Sequence, residues 1–148
     1  MTSDVALAKL ASIAHCLHRI RTVTRNDPAA VRDIDIQDIV VLNLQRATQA
    51  AIDLAAHIIA AESWGLPSSL KEHFTILARE KVVDDELGKH LEGMVGFRNV
   101  AVHAYEAIDT DILEAIVAHH LNDIDAFCAA VRRYLTKKAS APGGHSQE

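Results

Sequence analysis

The sequence predicts an all-α protein, an up-and-down helical bundle of about five helices, and three observations lead to this prediction. Hydrophobic residues make up 49% of the 148 residues and are mainly alanine, leucine, isoleucine and valine, whereas aromatic residues contribute only 4%. Three prolines interrupt the chain. Long stretches repeat apolar residues every three or four positions, which is the period that places them on one face of a helix.

The first predicted helix begins at a cap formed by Thr2 or Ser3 and continues to about Thr24. The residues predicted to form its apolar stripe are Leu7, Leu10, Ala14, Leu17 and Ile20. The helix then breaks at Asn26-Asp27-Pro28, a turn-forming sequence.

The second predicted helix is the longest and forms the centre of the bundle. It begins near Asp35 or Gln37 and runs to about Ser63, a length of roughly 40 Å at 1.5 Å per residue. Its predicted buried face consists of Val40, Leu44, Ala47, Ala51, Leu54 and Ile58. Gly65 and Pro67 end it.

Capping signals divide the rest of the chain into three further helices. Ser69 and Glu72 form a capping box before a short helix, Asp84 caps the next helix, and Asp109 or Thr110 caps the last. The apolar residues predicted to pack inward are Phe74, Leu77, Val82, Leu87, Leu91, Met94, Val95, Ile112, Ile116, Leu121, Ile124, Phe127, Val131 and Leu135. We therefore expect one helical domain over residues 1–136 and a flexible C-terminal tail over residues 137–148.

Composition excludes several classes of protein. No run of about 18 uncharged apolar residues is present and the N-terminus does not resemble a signal peptide, so we expect a cytoplasmic protein with no membrane contact. Cys16 and Cys128 are isolated, which favours buried thiols over a disulfide framework. The formal net charge of −5 argues mildly against broad nucleic-acid binding.

Two groups of basic residues nevertheless offer positive surface: Arg19, Arg21 and Arg25, and Arg132, Arg133, Lys137 and Lys138. We interpret both groups as solvated helix ends, because cations favour the C-terminal end of a helix dipole. The nine histidines suggest no metal site. His119 and His120 point about 100° apart on a helix, and His15 and His18 lack a carboxylate at matching spacing. We expect surface or core-edge histidines and no metal or cofactor.

The one cluster of chemically able side chains is Phe97-Arg98-Asn99-Val100-Ala101-Val102-His103-Ala104-Tyr105. The guanidinium of Arg98 suits a phosphate, and His103 can transfer a proton near neutral pH. Such a pair could cleave RNA without a metal, because the 2′-hydroxyl of RNA is the nucleophile. From the residues alone, the alternative is a histidine that is hydrogen-bonded at a helix end and an arginine in a surface ion pair. Asn99 can orient a neighbour, and the hydroxyl of Tyr105 can donate, accept or be modified.

The spacing limits how these residues act together. On an unbroken helix Arg98 and His103 lie roughly 140° apart, and Tyr105 lies roughly 200° from His103. The helix must therefore bend or end within the motif, or a second copy of the chain must complete the site. Gly93 and Gly96 permit a bend or a close helix contact.

Arg98, His103 and Tyr105 resemble the R-x4-H-x-Y motif of HEPN-domain ribonuclease toxins of the HepT-like type. Residues 43–47 and 51–55 are similar to the long second helix of that family, and residues 65–69 are similar to the turn that follows it. The resemblance extends over roughly residues 5 to 135.

The resemblance implies a toxin of a type VII-like toxin–antitoxin pair, acting as a metal-independent endoribonuclease on tRNA or mRNA. Arg98 and His103 would be catalytic, with Asn99 and Tyr105 in support. A partner nucleotidyltransferase antitoxin of the MNT type would silence the toxin by AMPylation of Tyr105, and the toxin would be a homodimer. The alternative is a non-catalytic HEPN module that binds a nucleotide or docks a nucleotidyltransferase, which the acidic net charge favours slightly.

Overall fold

A computed structural model describes the backbone of residues 3–103 and 109–140, and the side chains of residues 4–97 and 109–140. The helices are α1 (Ser3–Thr24), α2 (Ile34–Glu62), α3 (Leu70–Arg79), α4 (Asp85–His103), α5 (Thr110–Ala115) and α6 (Leu121–Ser140). A 3-10 turn, Pro28–Arg32, precedes α2, and a π-helical turn, Ile116–His120, joins α5 directly to α6. Because α5, the π turn and α6 form one continuous rod, the predicted bundle of five helices is confirmed.

Helix α2 is the centre of the bundle and packs against α1, α3 and α4. All six residues predicted for its inner face are buried. The edge-to-face pair of Phe74 and Phe127, whose ring centroids lie 5.8 Å apart, ties α3 to α6 across the same core. Burial of this apolar surface is the main force that holds the helices together.

Local capping chemistry fixes most of the helix starts. The Asp33 carboxylate accepts from the N–H groups of Asp35 and Ile36, so α2 starts slightly earlier than predicted. The Ser69 hydroxyl accepts from the Glu72 N–H at 3.1 Å, which confirms half of the predicted capping box. The Glu72 carboxylate reaches back to the N–H of Ser68 rather than to that of the cap residue. The predicted caps are also present: the Asp84 carboxylate accepts from the Leu87 N–H, and the Asp109 carboxylate accepts from the Asp111 N–H.

The predicted apolar stripe of α1 is wrong at two positions. Leu7 is 56% exposed and Ala14 is also exposed. The residues that pack inward are Ala6, Leu10, Ile13, Leu17 and Ile20. Neighbouring positions lie about 100° apart around a helix. A predicted stripe that is displaced by one residue therefore includes side chains that the neighbouring helices do not cover.

The predicted core is also wrong at Ile112, which is 56% exposed. Helix α6 continues to Ser140, so residues 137–140 are helical although the predicted tail begins at residue 137. Residues 141–148 lie outside the described part of the chain. In the described residues no helix is long and apolar enough to cross a membrane, and no strand occurs.

Both cysteines are buried free thiols, as predicted. Burial raises the pKa of the Cys16 thiol and raises that of Cys128 to about 11. A thiol must ionise to act as a nucleophile, so this environment keeps both cysteines unreactive at neutral pH.

Candidate functional site

Helix α4 carries Arg98, Asn99 and His103 of the motif region. Its backbone is α-helical without interruption from Asp85 to His103, so the helix does not end between Arg98 and His103. At five-residue spacing these two backbone positions lie roughly 140° apart around the axis, whereas Asn99 and His103 lie roughly 40° apart. The side chains of Arg98, Asn99 and His103, and all of Tyr105, lie outside the described residues, so their roles stay predictions.

A cavity of about 480 Å³ lies directly before the motif on α4. Its lining residues are Leu44, Thr48, Lys89, His90, Gly93, Met94, Gly96, Phe97, Ile112, Ile116 and His120. Phe97, at one end of this lining, is the residue immediately before Arg98. A Cβ atom at Gly93 or Gly96 would meet no heavy atom within 4 Å, so the missing side chains leave open space on this face. The exposed Ile112 belongs to the same wall, which explains why it is not in the core.

Two histidines that line this cavity share one carboxylate, Asp123, which itself lines an adjoining groove. The Nδ1 atom of His90 is 3.1 Å from one oxygen of Asp123, and the Nδ1 atom of His120 is 2.8 Å from the other oxygen. The two imidazole rings meet edge to face with centroids 6.3 Å apart. Because an ionised carboxylate only accepts hydrogen bonds, both Nδ1 atoms donate to it. Each ring therefore has its Nε2 atom on the edge opposite Asp123.

Burial differs between the members of this His–Asp–His cluster. The side chain of Asp123 is only 17% exposed, whereas those of His90 and His120 are 44% and 42% exposed. The carboxylate thus lies inside, and the two rings lie between it and solvent. Such an arrangement fixes the orientation of both rings while leaving them accessible to a ligand.

The π turn helps to bring His120 to the cavity. Ile112, Ile116 and His120 are spaced four residues apart and all line it. In a regular α-helix positions four apart drift by about 40° per step, but a π turn holds more residues and keeps such positions closer to one face. The α-helix resumes at Leu121, which places Asp123 one turn beyond His120.

The sequence prediction missed this cluster. It treated His90 as scattered and judged His120 only against its neighbour His119, which is exposed and does not line the cavity. His120 and Asp123 are three residues apart, a spacing at which an imidazole and a carboxylate on one helix can form a hydrogen bond. His90 lies 33 residues before Asp123, and only the packing of α4 against α6 brings them together.

The two basic groups predicted from the sequence have different surroundings. Arg21 pairs with Asp125 at 2.6 Å and so joins α1 to α6. Lys138 pairs with Glu62 at 3.0 Å. Arg133, Lys137 and Lys138 line an adjoining groove of about 1250 Å³, together with the α3–α4 turn. His90 and Asp123 also line this groove, so it borders the histidine cluster. Lys137 is 14 residues beyond Asp123, about 21 Å along α6 and away from the motif, so this group does not flank Arg98.

No group of three or more histidine, cysteine, aspartate or glutamate side chains suited to hold a metal ion occurs among the residues with described side chains. The chemistry available at the described cavity is therefore that of a primary ammonium group, two imidazoles and an apolar surface. These groups suit an anion next to a flat apolar ring.

Comparison with known proteins identifies the family of the chain. A family model described as "Ribonuclease HepT-like" matches residues 13–131. The chain is 38% identical over 130 residues to the mRNA nuclease HepT of Shewanella oneidensis, a match that covers 88% of this chain and 98% of the relative. It is 30% identical over 92 residues to the tRNA nuclease HepT of Aphanizomenon flos-aquae, which covers 62% of this chain and 63% of the relative.

A solved structure of a relative has the same helical fold. The tri-AMPylated Shewanella oneidensis HEPN toxin, in complex with its MNT antitoxin, matches with a TM-score of 0.82 and 38% sequence identity. The match covers 88% of this chain and 98% of that chain. The family model spans far more than half of the sequence, and the helical fold is shared along the same length. The chain therefore belongs to the HepT-like ribonuclease family of HEPN proteins.

Proposed function

We propose that this chain is the toxin of a type VII-like toxin–antitoxin pair and that it cleaves RNA without a metal ion. The relatives that it matches are nucleases of mRNA and of tRNA, so both RNA classes are candidate substrates. The observation that supports the proposal most strongly is the placement of the motif. Arg98 and His103 occupy one unbroken helix, directly after a cavity with cationic and apolar walls.

The proposed chemistry is an internal transesterification. A base takes the proton of the ribose 2′-hydroxyl, and the oxygen attacks the adjacent phosphorus. The bond from phosphorus to the 5′-oxygen breaks, and an acid protonates that oxygen. The products are a 2′,3′-cyclic phosphate and a 5′-hydroxyl. His103 serves one proton transfer and Arg98 stabilises the charge on the phosphate, with Asn99 in support.

The proposal includes a homodimer. An unbroken helix separates Arg98 and His103 by roughly 140°, so one copy of α4 does not aim both at the same atom. A second copy that packs beside the motif would supply the missing residue and a second histidine.

Control of the toxin is proposed to act through Tyr105. The Shewanella oneidensis neighbour is AMPylated and is bound to an MNT antitoxin. By analogy, a cognate nucleotidyltransferase would place AMP on the Tyr105 hydroxyl, where the added phosphate would compete for Arg98 and the adenine would exclude RNA. RNA and a nucleotidyltransferase are both found in the cytoplasm, which is the location we propose.

Growth of a bacterial host tests this function. Expression of the chain alone is expected to slow growth, and Arg98→Ala and His103→Ala are each expected to relieve the effect. Immunoblots of the soluble fraction confirm that each variant accumulates. Equal toxicity of the wild type and both folded variants would disprove the site assignment. A wild type that binds a nucleotidyltransferase but cleaves no RNA would instead support a non-catalytic docking module.

A further inference from the structure

The cavity before the motif combines two surfaces of different chemistry. Its floor is apolar, with Met94, Phe97 and Ile116 among its residues. Lys89, His90 and His120 supply nitrogen-bearing side chains around that floor. A ligand that satisfies both surfaces has a flat apolar part joined to an anion.

Asp123 fixes the orientation of the two rings at this surface. It holds both histidine rings by Nδ1 and leaves each Nε2 on the opposite edge. Lys89 adds its ammonium group to the same lining. An anion in the cavity therefore meets a lysine cation beside two oriented imidazole rings.

We propose that this cavity is a subsite for one nucleotide of a single-stranded RNA. The base lies on the apolar floor beside Phe97, and a neighbouring phosphate binds His90 and His120. The proposal rests on the ribonuclease function proposed above and adds to it the residues that hold the strand. These residues bind RNA and do not take part in the chemical step.

Three features of the structure favour this occupant. Aromatic side chains commonly hold the unstacked bases of single-stranded RNA, and cations hold its phosphates. The open space at Gly93 and Gly96 allows a ring to approach the α4 backbone. His90 lies eight residues before Arg98, about 12 Å along the helix, a distance that a few nucleotides of one strand span.

Binding of a non-cleavable RNA tests the phosphate contact separately from cleavage. The probe is a fluorescent 2′-O-methyl oligoribonucleotide, and anisotropy gives its Kd over a range of salt concentrations. His90→Gln and His120→Gln keep an N–H group for Asp123 but cannot become cationic. Each is expected to weaken binding about tenfold, as the loss of one charge-assisted hydrogen bond does. The slope of log Kd against log salt should fall by about 0.7 for each phosphate that the variant no longer neutralises.

The matched control is His119→Gln. His119 is the neighbour of His120, has the same titratable group, is exposed and does not line the cavity. Its Kd and salt slope are expected to equal those of the wild type. Far-UV circular dichroism confirms the helical content of all three variants. If His90→Gln and His120→Gln bind the probe with the affinity and slope of His119→Gln, the subsite proposal is overturned.

A second variant tests the base contact without changing charge. Gly93→Leu fills the open space and suits a helix. It is expected to weaken binding of the same probe while leaving the salt slope unchanged, because the phosphate contacts remain. Unchanged affinity would overturn the placement of the base. Failure of the wild type to cleave natural RNA, with normal probe binding, would instead contradict the ribonuclease function and leave the subsite intact.

Discussion

Two glycines of α4 offer a matched test of the packing. A Cβ atom at Gly93 would meet nothing within 4 Å, whereas one at Gly88 would lie 3.1 Å from the Cβ of Ala78 and 3.6 Å from the carbonyl oxygen of Phe74. Both positions are inside the same helix. Substitution by alanine gives the same helix-propensity gain at each, so any difference between the two reports on the surroundings alone.

The magnitudes follow from this geometry. Replacing a helical glycine by alanine stabilises a helix by about 1 kcal/mol, so Gly93→Ala should raise the free energy of unfolding by about that amount. For a domain of this size the Tm should rise by about 3 °C. At Gly88 the added methyl group forces α3 and α4 apart, and overpacking of this kind costs about 1–3 kcal/mol. Gly88→Ala is therefore expected to be no more stable than the wild type, and up to about 2 kcal/mol less stable.

Urea denaturation followed by far-UV circular dichroism measures both variants against the wild type. A Gly93→Ala protein less stable than the wild type would refute the reasoning, because it would show that the space at Gly93 is filled in solution. If that loss grows with protein concentration, a second copy of the chain fills it. Equal stabilisation by the two substitutions would show that the contact between Gly88 and Ala78 is looser than the structure describes.

Three further predictions concern assembly, control and acid stability. Light scattering should give the mass of a dimer at micromolar concentration, and a mass near the 16.1 kDa of one chain would contradict a shared site. Co-expression with the partner nucleotidyltransferase should make the wild type heavier by one AMP or a multiple, by intact-mass measurement, and leave Tyr105→Phe unshifted; a shift that persists in Tyr105→Phe would place the modification elsewhere. Burial raises the pKa of Glu62, but hydrogen bonds from Tyr134 and Lys138 outweigh it and the pKa is lowered overall. A lowered folded-state pKa gives stability that is present above the unfolded pKa of about 4.3 and is lost as the pH falls through the folded value. Glu62→Gln should therefore reduce the fall in Tm between neutral and acid pH. A pH profile equal to that of the wild type would show that the Glu62 contacts do not stabilise the fold.

The sequence predicted the features that depend on neighbouring residues. The caps at Ser69, Asp84 and Asp109 were recognisable because a cap side chain bonds to an N–H group two or three residues later. The inner face of α2 was also recognisable, since a long helix at the centre of a bundle repeats its apolar positions many times.

Features that depend on distant parts of the chain were less predictable. The stripe of α1 was misplaced at Leu7 because Val5 and Leu7 are apolar but exposed, and only the neighbouring helices decide which apolar side chains are covered. Ile112 has the spacing of a core residue, yet it lies on the wall of the cavity. The pairing of His90 with Asp123 depends on the register of α4 against α6, which no local pattern encodes.

Digestion of a defined single-stranded RNA in EDTA tests the central claim most directly. The wild type is expected to leave 2′,3′-cyclic phosphate and 5′-hydroxyl ends with the metal chelated, and folded Arg98→Ala and His103→Ala proteins are expected to lose at least about a hundredfold in rate, the usual contribution of one positioned acid or base. Cleavage that stops when EDTA is added, or that continues unchanged in both variants, would contradict a metal-independent site at Arg98 and His103.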